Sequence, residues 1–563
     1  PVKGAPRNDN ARLLLFAALL SLPHPEGYPP VTLSPQKQKE KTHEALVTWL
    51  CAEAKQQAVM YAWEDLHWAD PSTLELLTLF LAQVPTTRLL AVLTHRPEFT
   101  PPWGAHSYLS QLTLSRLGRT HVETMVEKVT GGQILPQEVV QQIVSKTDGI
   151  PLFVEELAKS VLESVGAPGR APLQALDIPA TLQDSLMARL DRLGPAKEIA
   201  QLGATIGREF NYELLQAVSP LNEEGLQYGL KQLVEAELVY QSGAPPQARY
   251  LFKHALVQDT AYQSLLKSHR QQLHQHVARV LVEQFPQTVE TQPELVAHHY
   301  TEAGFIAQAI PYWQSAGRRA VERSAHAEAV SHLTRGLELL KTLPDTPERT
   351  QQELTLQTML GQVFVATKGF TAPEVERAYA RARELCQQVG ETPQLVPVLW
   401  GLAEFYRVRG ELQTALEVAE QLLRLAQHGQ DPVSLVLAHA ACGTTLYLRG
   451  ALVPALEHLE QAMALYNPTQ HHAQAGLALD DAGVHCRCLA AVTLWHLGCP
   501  ERARQRVHEA LTLAQVLAHS VTLAAAAVRA WAASVYQLRR EVQAVHEQAE
   551  AVRTILESKR PAF

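Results

Sequence analysis

The strongest constraint on this chain lies in its second half, where one helical pair recurs. YRVRGELQTALEVAEQLLRLA, residues 406–426, and YLRGALVPALEHLEQAMALY, residues 447–466, place Gly410 and Gly450 40 residues apart and keep Ala415 and Ala455 at the same interval. WHLGCPERARQRVHEALTLA at 495–514 repeats the scheme with a longer first helix, and YTEAGFIAQAIPYWQSAGRRA and SAHAEAVSHLTRGLELL carry it upstream. A glycine turn between amphipathic helices, with a small residue at each crossing, makes a unit that cannot bury its apolar face alone. At a period of roughly 34–45 residues such units stack into an α-solenoid. Residues 291–563 are therefore expected to form helical repeats of the tetratricopeptide kind, divergent in period.

The first third reads differently. AVMYAW and RLLAVLTHRPE are continuous apolar runs separated by PSTLELLTLFLAQV, which has helical spacing. Strand, helix, strand in this form predicts a parallel sheet with both strands buried and a crossover helix. Asp70 suits the cap of that helix and Pro71 its first position. RLLLFAALLSLP, residues 12–23, reads as a core helix rather than a secretory signal, because no small-x-small cleavage site follows it. Residues 117–164 turn helical, and GAPGRAPLQALDIP is a linker ending near Pro179. Between 180 and 284, three short helices and a hairpin around SGAPPQ predict a winged helix followed by one long helix.

Between the two apolar runs stands WEDLHWAD, where Glu64 and Asp65 adjoin at the end of a strand. Carboxylates there face the crevice in which parallel sheets bind ligands, and an acid pair is adequate for magnesium beside phosphate. The same acids could equally cap a strand-to-helix turn. His67 and Trp68 read as packing at the helix entry. Cys486 and Cys488, in HCRC, are not read as metal ligands, since i and i+2 on a helix point to different faces and no second cysteine pair stands at zinc spacing.

EDLHWADPSTLELL, LLAVLTHRPEFTPPW, TDGIPLFVEELAKSVLES, IPATLQDSLMARLDRL, GATIGREF and RYLFKHALVQDTAYQSLL occur in an order that resembles the STAND class of AAA+-related signalling ATPases. The resemblance is to the bacterial group in which this module follows a class III adenylate/guanylate cyclase and precedes tetratricopeptide repeats; large LuxR-type regulators are similar. It implies a mainly α, multidomain chain: a partial α/β P-loop-type ATPase core over 1–116, a helical lid and linker over 117–179, a winged helix and long helix over 180–290, and the repeat solenoid over 291–563. It also implies roles. Glu64 would take the Walker B magnesium position, and Asp65, the catalytic residue, would share the metal and orient the attacking water. Thr94 and Arg96 would read the terminal phosphate, Gly149, Ile150 and Pro151 would lie against base and sugar, and His254 would reach the nucleotide from the winged helix. ATP or ADP with Mg2+ is the implied cofactor.

No G-x-x-x-x-G-K-[ST] phosphate loop occurs in the sequence. The expectation is therefore half a nucleotide site, with the phosphate loop and a cyclase lying upstream, in a regulatory nucleotide switch whose repeats bind a protein or peptide. The alternative is a scaffold with a vestigial ATPase fold; a LuxR-type transcription regulator ranks below both. A net charge of -8, and Glu223, Glu224, Glu235 and Glu237 against Lys231 on the third winged-helix segment, argue against DNA binding. Six cysteines without framework spacing suit a reducing cytoplasm, no apolar run is long enough to span a bilayer, and oligomerisation stays open.

Overall fold

The computed structural model describes residues 7–20, 35–104, 106–133, 135–165, 181–389, 395–468, 481–517, 537–538 and 540–557, and is mainly helical. Most of the expected linker, 166–179, lies outside these residues. By packing, the chain forms two units, one made of residues 1–104 with 313–563 and the other of 105–312.

In the first unit, β1 (Val59–Trp63) and β2 (Leu89–Leu93) pair in parallel, Val59 opposite Leu89 through Trp63 opposite Leu93. The crossover helix Pro71–Leu81 starts as its sequence dictates: Asp70 accepts from the amide of Thr73 at 2.9 Å, and Pro71 stands at the first turn. One face of the sheet is packed. Tyr61 and Trp63 point inward with Leu89, Ala91 and Leu93 onto Leu77, Phe80 and Leu81, the Trp63 and Phe80 rings meeting edge to face at 4.9 Å. Helix Pro35–Gln56 closes the same side, where the Tyr61 hydroxyl donates to the Leu50 carbonyl at 2.9 Å. The bulky aromatics Tyr61 and Trp63 are thus on the inner face.

The other face corrects the expectation of buried strands. Met60 is 65% and Leu90 58% exposed, and Ala62 and Val92 are exposed beside them. Side chains alternate across a strand, so two strands covered on one side only must leave every second residue in solvent. Among the described residues nothing pairs with the outer edges of β1 or β2. Of the N-terminal helix, Arg7–Leu19, Leu14, Leu15 and Ala17 are buried, as a core helix requires.

The repeats follow a stricter rule. Gly304 (in the second unit), Gly410, Gly450 and Gly498 all hold left-handed backbone, φ between 79° and 83°, and five residues after each comes a fully buried alanine: Ala309, Ala415, Ala455 and Ala503. Each turn closes with one bond pattern; Glu411 donates to the Tyr406 carbonyl, Ala451 to Leu446 and Cys499 to Leu494, at 2.9–3.0 Å. Glycine has no Cβ to oppose this conformation, so it ends the first helix while alanine lets the second approach closely. The helix pairs are Leu395–Val408 with Leu412–Gly429, Pro432–Leu448 with Leu452–Leu465, and Ala482–His496 with Pro500–Leu517. Ser324, at φ 55°, occupies the glycine place of an earlier turn and again has its alanine, Ala329, five residues on. Cys486 and Cys488 lie in different apolar clusters.

In the second unit, helices Arg119–Val129, Gln137–Thr147 and Pro151–Val165 share a core around Val126, Ile143 and Leu157. Helices Leu182–Arg192, Pro195–Ile206, Tyr212–Val218 and Glu223–Glu235 then surround an antiparallel sheet in the order β3 (Glu209–Asn211), β5 (Arg249–Phe252), β4 (Val239–Ser242). The hairpin was expected; the strand β3 was not. It forms because Phe210 is drawn into the core against Tyr250 and Phe252. The expected single long helix is two, Ala255–Gln263 and Lys267–Gln284, interrupted at Leu266, whose backbone is extended. Helix Pro293–Ala303, the first of the expected repeat region, belongs to this unit because it packs on Lys267–Gln284 through buried His274 and His299, Nδ1 to Nδ1 2.8 Å apart.

Candidate functional site

The acid pair sits where β1 ends. In register, Glu64 follows Trp63 as Thr94 follows Leu93, so Glu64 and Thr94 finish the bare face of the sheet, in line with Met60, Ala62, Leu90 and Val92. Thr94 is already at work on the backbone. Its hydroxyl accepts from the Asp65 amide at 3.0 Å, its carbonyl accepts from Leu66 at 2.9 Å, and its amide donates to Trp63 at 2.9 Å. These bonds hold Asp65 in a left-handed turn, φ 57°, that leads into the short 3-10 turn Leu66–Trp68. Aspartate tolerates this conformation better than most side chains, which is a structural reason for its presence. Leu66 is buried, and both ring nitrogens of His67 are buried without a hydrogen-bond partner. Trp68, expected to pack, is 51% exposed and lies between His67, centroids 4.6 Å apart, and Arg96, whose guanidinium stands 5.4 Å from its ring.

The structure therefore brings Glu64, Asp65, Thr94 and Arg96 to one end of one sheet. Two carboxylates with a threonine hydroxyl suit a hard cation such as magnesium, which takes few protein ligands and keeps waters. The cradle for phosphates is not formed by these four residues. Repeat residues also reach this end of the unit. The amide of Ser72, in the first turn of the helix Pro71–Leu81, donates to Glu328 at 2.9 Å, and Lys39 bridges Glu75 at 2.6 Å and the Ser324 carbonyl at 3.3 Å. Glu328 belongs to helix His326–Leu340, so a repeat side chain caps the helix that the acid turn feeds.

The other expected residues lie in the second unit. Gly149 has φ 70°, and a Cβ there would stand 2.2 Å from the Leu117 carbonyl oxygen, while its own carbonyl accepts from Leu117 at 2.8 Å. Close backbone approach makes glycine obligatory independently of any ligand. Asp148 and Gly149 end one helix and Pro151 opens the next, Pro151–Val165. That helix carries Glu155 and Glu156. Glu156, 2% exposed, pairs with buried Arg189, which also donates to the Ala236 carbonyl at 2.7 Å. Lys253 bonds Glu155 at 3.3 Å, which sets the following residue, His254, beside the same helix. Burial, and then Lys253, lower the His254 pKa, and its Nε2 is buried with no hydrogen-bond partner. Sequence reasoning missed Glu156, Arg189, Glu328 and the His274–His299 pair; each meets its partner across 25 or more residues, a separation without a local signal.

No family model matches the chain. It is similar to an uncharacterized protein of Rhizobium meliloti (strain 1021), 25% identical over 501 residues that cover 86% of this chain and 48% of that protein. The chain thus spans about half the length of the curated relative it matches. Among solved structures it is similar to a signal-transduction ATPase with numerous domains carrying a tetratricopeptide-repeat sensor, from Pyrococcus horikoshii: 11% identity, TM-score 0.35, covering 92% of this chain and 77% of that one. It is also similar to aspartyl phosphate phosphatase F from Bacillus subtilis, with 11% identity and TM-score 0.35 over 79% of this chain and 96% of that one. At TM-scores below 0.5 these likenesses carry no argument about function. No helix among the described residues is long and apolar enough to cross a membrane.

Proposed function

We propose that this chain is the repeat-bearing part of a nucleotide-responsive signalling protein, in which tetratricopeptide-like repeats bind a protein or peptide and bias a STAND-type ATPase module. The observation that carries it is the contact between Glu328 of the repeats and the Ser72 amide, seven residues after Asp65 and in the first turn of the helix Pro71–Leu81. A repeat helix that caps the element behind an acid pair can shift that pair when the repeats change shape, which is what a two-state switch needs. In this reading Glu64 and Asp65 hold magnesium with ATP or ADP, Asp65 orients the attacking water, and Thr94 and Arg96 contact the terminal phosphate. Gly149 and Pro151 lie against base and sugar, and His254 offers its unpartnered Nε2 to the nucleotide from a winged helix. The phosphate loop must come from chain beyond these residues, as must a linked cyclase; the bare sheet face and the 48% coverage of the relative accord with that. The outward side of helix Glu223–Glu235, with Glu223, Glu224 and Glu235 exposed beside Lys231, speaks against DNA.

A non-hydrolysing scaffold is the second reading, and the Thr94 clamp favours it, since that hydroxyl and the Asp65 turn have structural work to do without a ligand. Thermal melts of the full-length protein with Mg·ADP separate the two. A switch is stabilised in a saturable way and loses the shift in Asp65→Ala; a scaffold melts alike with and without nucleotide.

A further inference from the structure

Three successive repeats line a pocket of about 150 Å³. It is built from the first helix of each pair. Trp400, Glu404 and Arg407 stand at i, i+4 and i+7 on Leu395–Val408, Ala440 and Thr444 at i and i+4 on Pro432–Leu448, and Ala482 and His485 at i and i+3 on Ala482–His496. Phe370 meets Trp400 edge to face at 6.2 Å and completes an aromatic wall, while the alanines leave the space that larger side chains would fill.

The polar groups are matched to each other. Arg407 binds both oxygens of Glu404, Nε to Oε1 at 3.1 Å and Nη2 to Oε2, so the two half-buried charges cancel. The Thr444 hydroxyl gives its one proton to the Ala440 carbonyl at 2.7 Å, so at the 3.1 Å contact His485 Nε2 is the donor and Thr444 the acceptor. A charged ligand would have to break a bidentate pair to gain a partner, whereas an uncharged ring would bury its edge and face against Phe370 and Trp400. A space of about 150 Å³ holds one benzene-sized ring.

We propose that this pocket binds a single uncharged aromatic side chain, phenylalanine or tyrosine, presented by an extended segment of a partner protein. The proposal rests on the reading of the repeats as a protein-binding scaffold and names what they select. Neutrality and volume set the choice: the lining offers no uncompensated charge to an acidic or basic anchor and no room for two rings.

The test titrates the full chain with phenol, benzoate, benzylamine and cyclohexanol, reading the indole signal of Trp400 by NMR. Phenol is expected to saturate with a dissociation constant on the order of 1 mM, at least about tenfold tighter than the other three. Ala482→Leu, on a half-exposed position, should fill the pocket and abolish the shift, and Trp400→Leu, read by saturation transfer to the phenol ring because the indole signal is gone, should weaken phenol while keeping the volume apolar. Benzoate or cyclohexanol binding as well as phenol, or phenol binding unchanged in Ala482→Leu with an intact melt, overturns the proposal. A peptide library on the full-length protein keeps the two readings apart. Peptide binders that ignore Ala482→Leu defeat the pocket alone; no binder at all defeats the scaffold reading beneath it.

Discussion

The sheet of residues 59–93 and the repeats of residues 395–517 solve one problem in opposite ways. Each repeat pair buries its apolar face against the next, and the rule is local: a left-handed glycine, then an alanine five residues later with no exposed surface. The sheet has a single covered face, and its acids stand at the end of the uncovered one. The repeats thus close their helix crossings and leave a pocket beside Trp400, whereas the sheet presents apolar surface and, among the described residues, unpaired strand edges that large soluble domains seldom leave open. Function is expected where packing stops.

The largest effect that would sharpen this contrast is a pH effect within the repeats. His439 and His458 face each other there, Nδ1 to Nδ1 2.9 Å apart, with Glu420 and Glu457 nearby. Burial, and then the neighbouring imidazole, push the His439 pKa down to about 4 from an ordinary 6.5. A folded pKa below the unfolded one means that the unfolded chain takes up the proton first as pH falls. The His439 contribution to stability should therefore be full above about pH 7 and be lost between 6.5 and 4, by about 3 kcal/mol, and His439→Gln should remove that part of the decline in denaturant melts, leaving the part due to His274 and His299. An unchanged profile would remove the buried pair as its cause.

A smaller loss should come from Ala455→Leu. Three added carbon atoms at a closed helix crossing force neighbours apart, costing about 2 kcal/mol in urea unfolding. Next come two turns of opposite sign. Gly450→Ala places a Cβ on left-handed backbone and should cost about 1 kcal/mol, while Ser324→Gly relieves that same conformation and should raise stability by up to about 1 kcal/mol. Equal effects of one sign would break the rule drawn from these turns.

The turns also show what was legible. The glycines and alanines were readable because each acts through its immediate backbone and the nearest crossing. Ser324 was not, since serine gives no sign of left-handed backbone and only the Ala320–Ala325 bond of the finished turn reveals it. The strands were readable from apolar runs, but their bare face was not: Met60 and Leu90 are as apolar as Tyr61 and Leu89, and which face is covered depends on chain elsewhere. In the candidate site, the end-of-strand placement of Glu64 and Thr94 followed from the runs. The Asp65 clamp, the Glu328 cap and the Arg189–Glu156 pair arise from contacts distant in sequence.

The smallest effect tests the sheet itself. Leu90→Lys should change the stability of this chain by less than about 0.5 kcal/mol, because its side chain already meets water. A loss of several kcal/mol in the full-length protein but not in this chain would show that further chain covers the face.

Hydrogen exchange on the full-length protein, with and without Mg·ADP, asks most directly whether the acid end is a nucleotide site coupled to the repeats. A switch gives slower exchange at Asp65, Leu66 and the 94–96 segment together with a change at Ser72 and in helix His326–Leu340, and all of it disappears in Asp65→Ala. Exchange unaltered by nucleotide at these positions would contradict the switch and leave a scaffold whose acids only turn the chain.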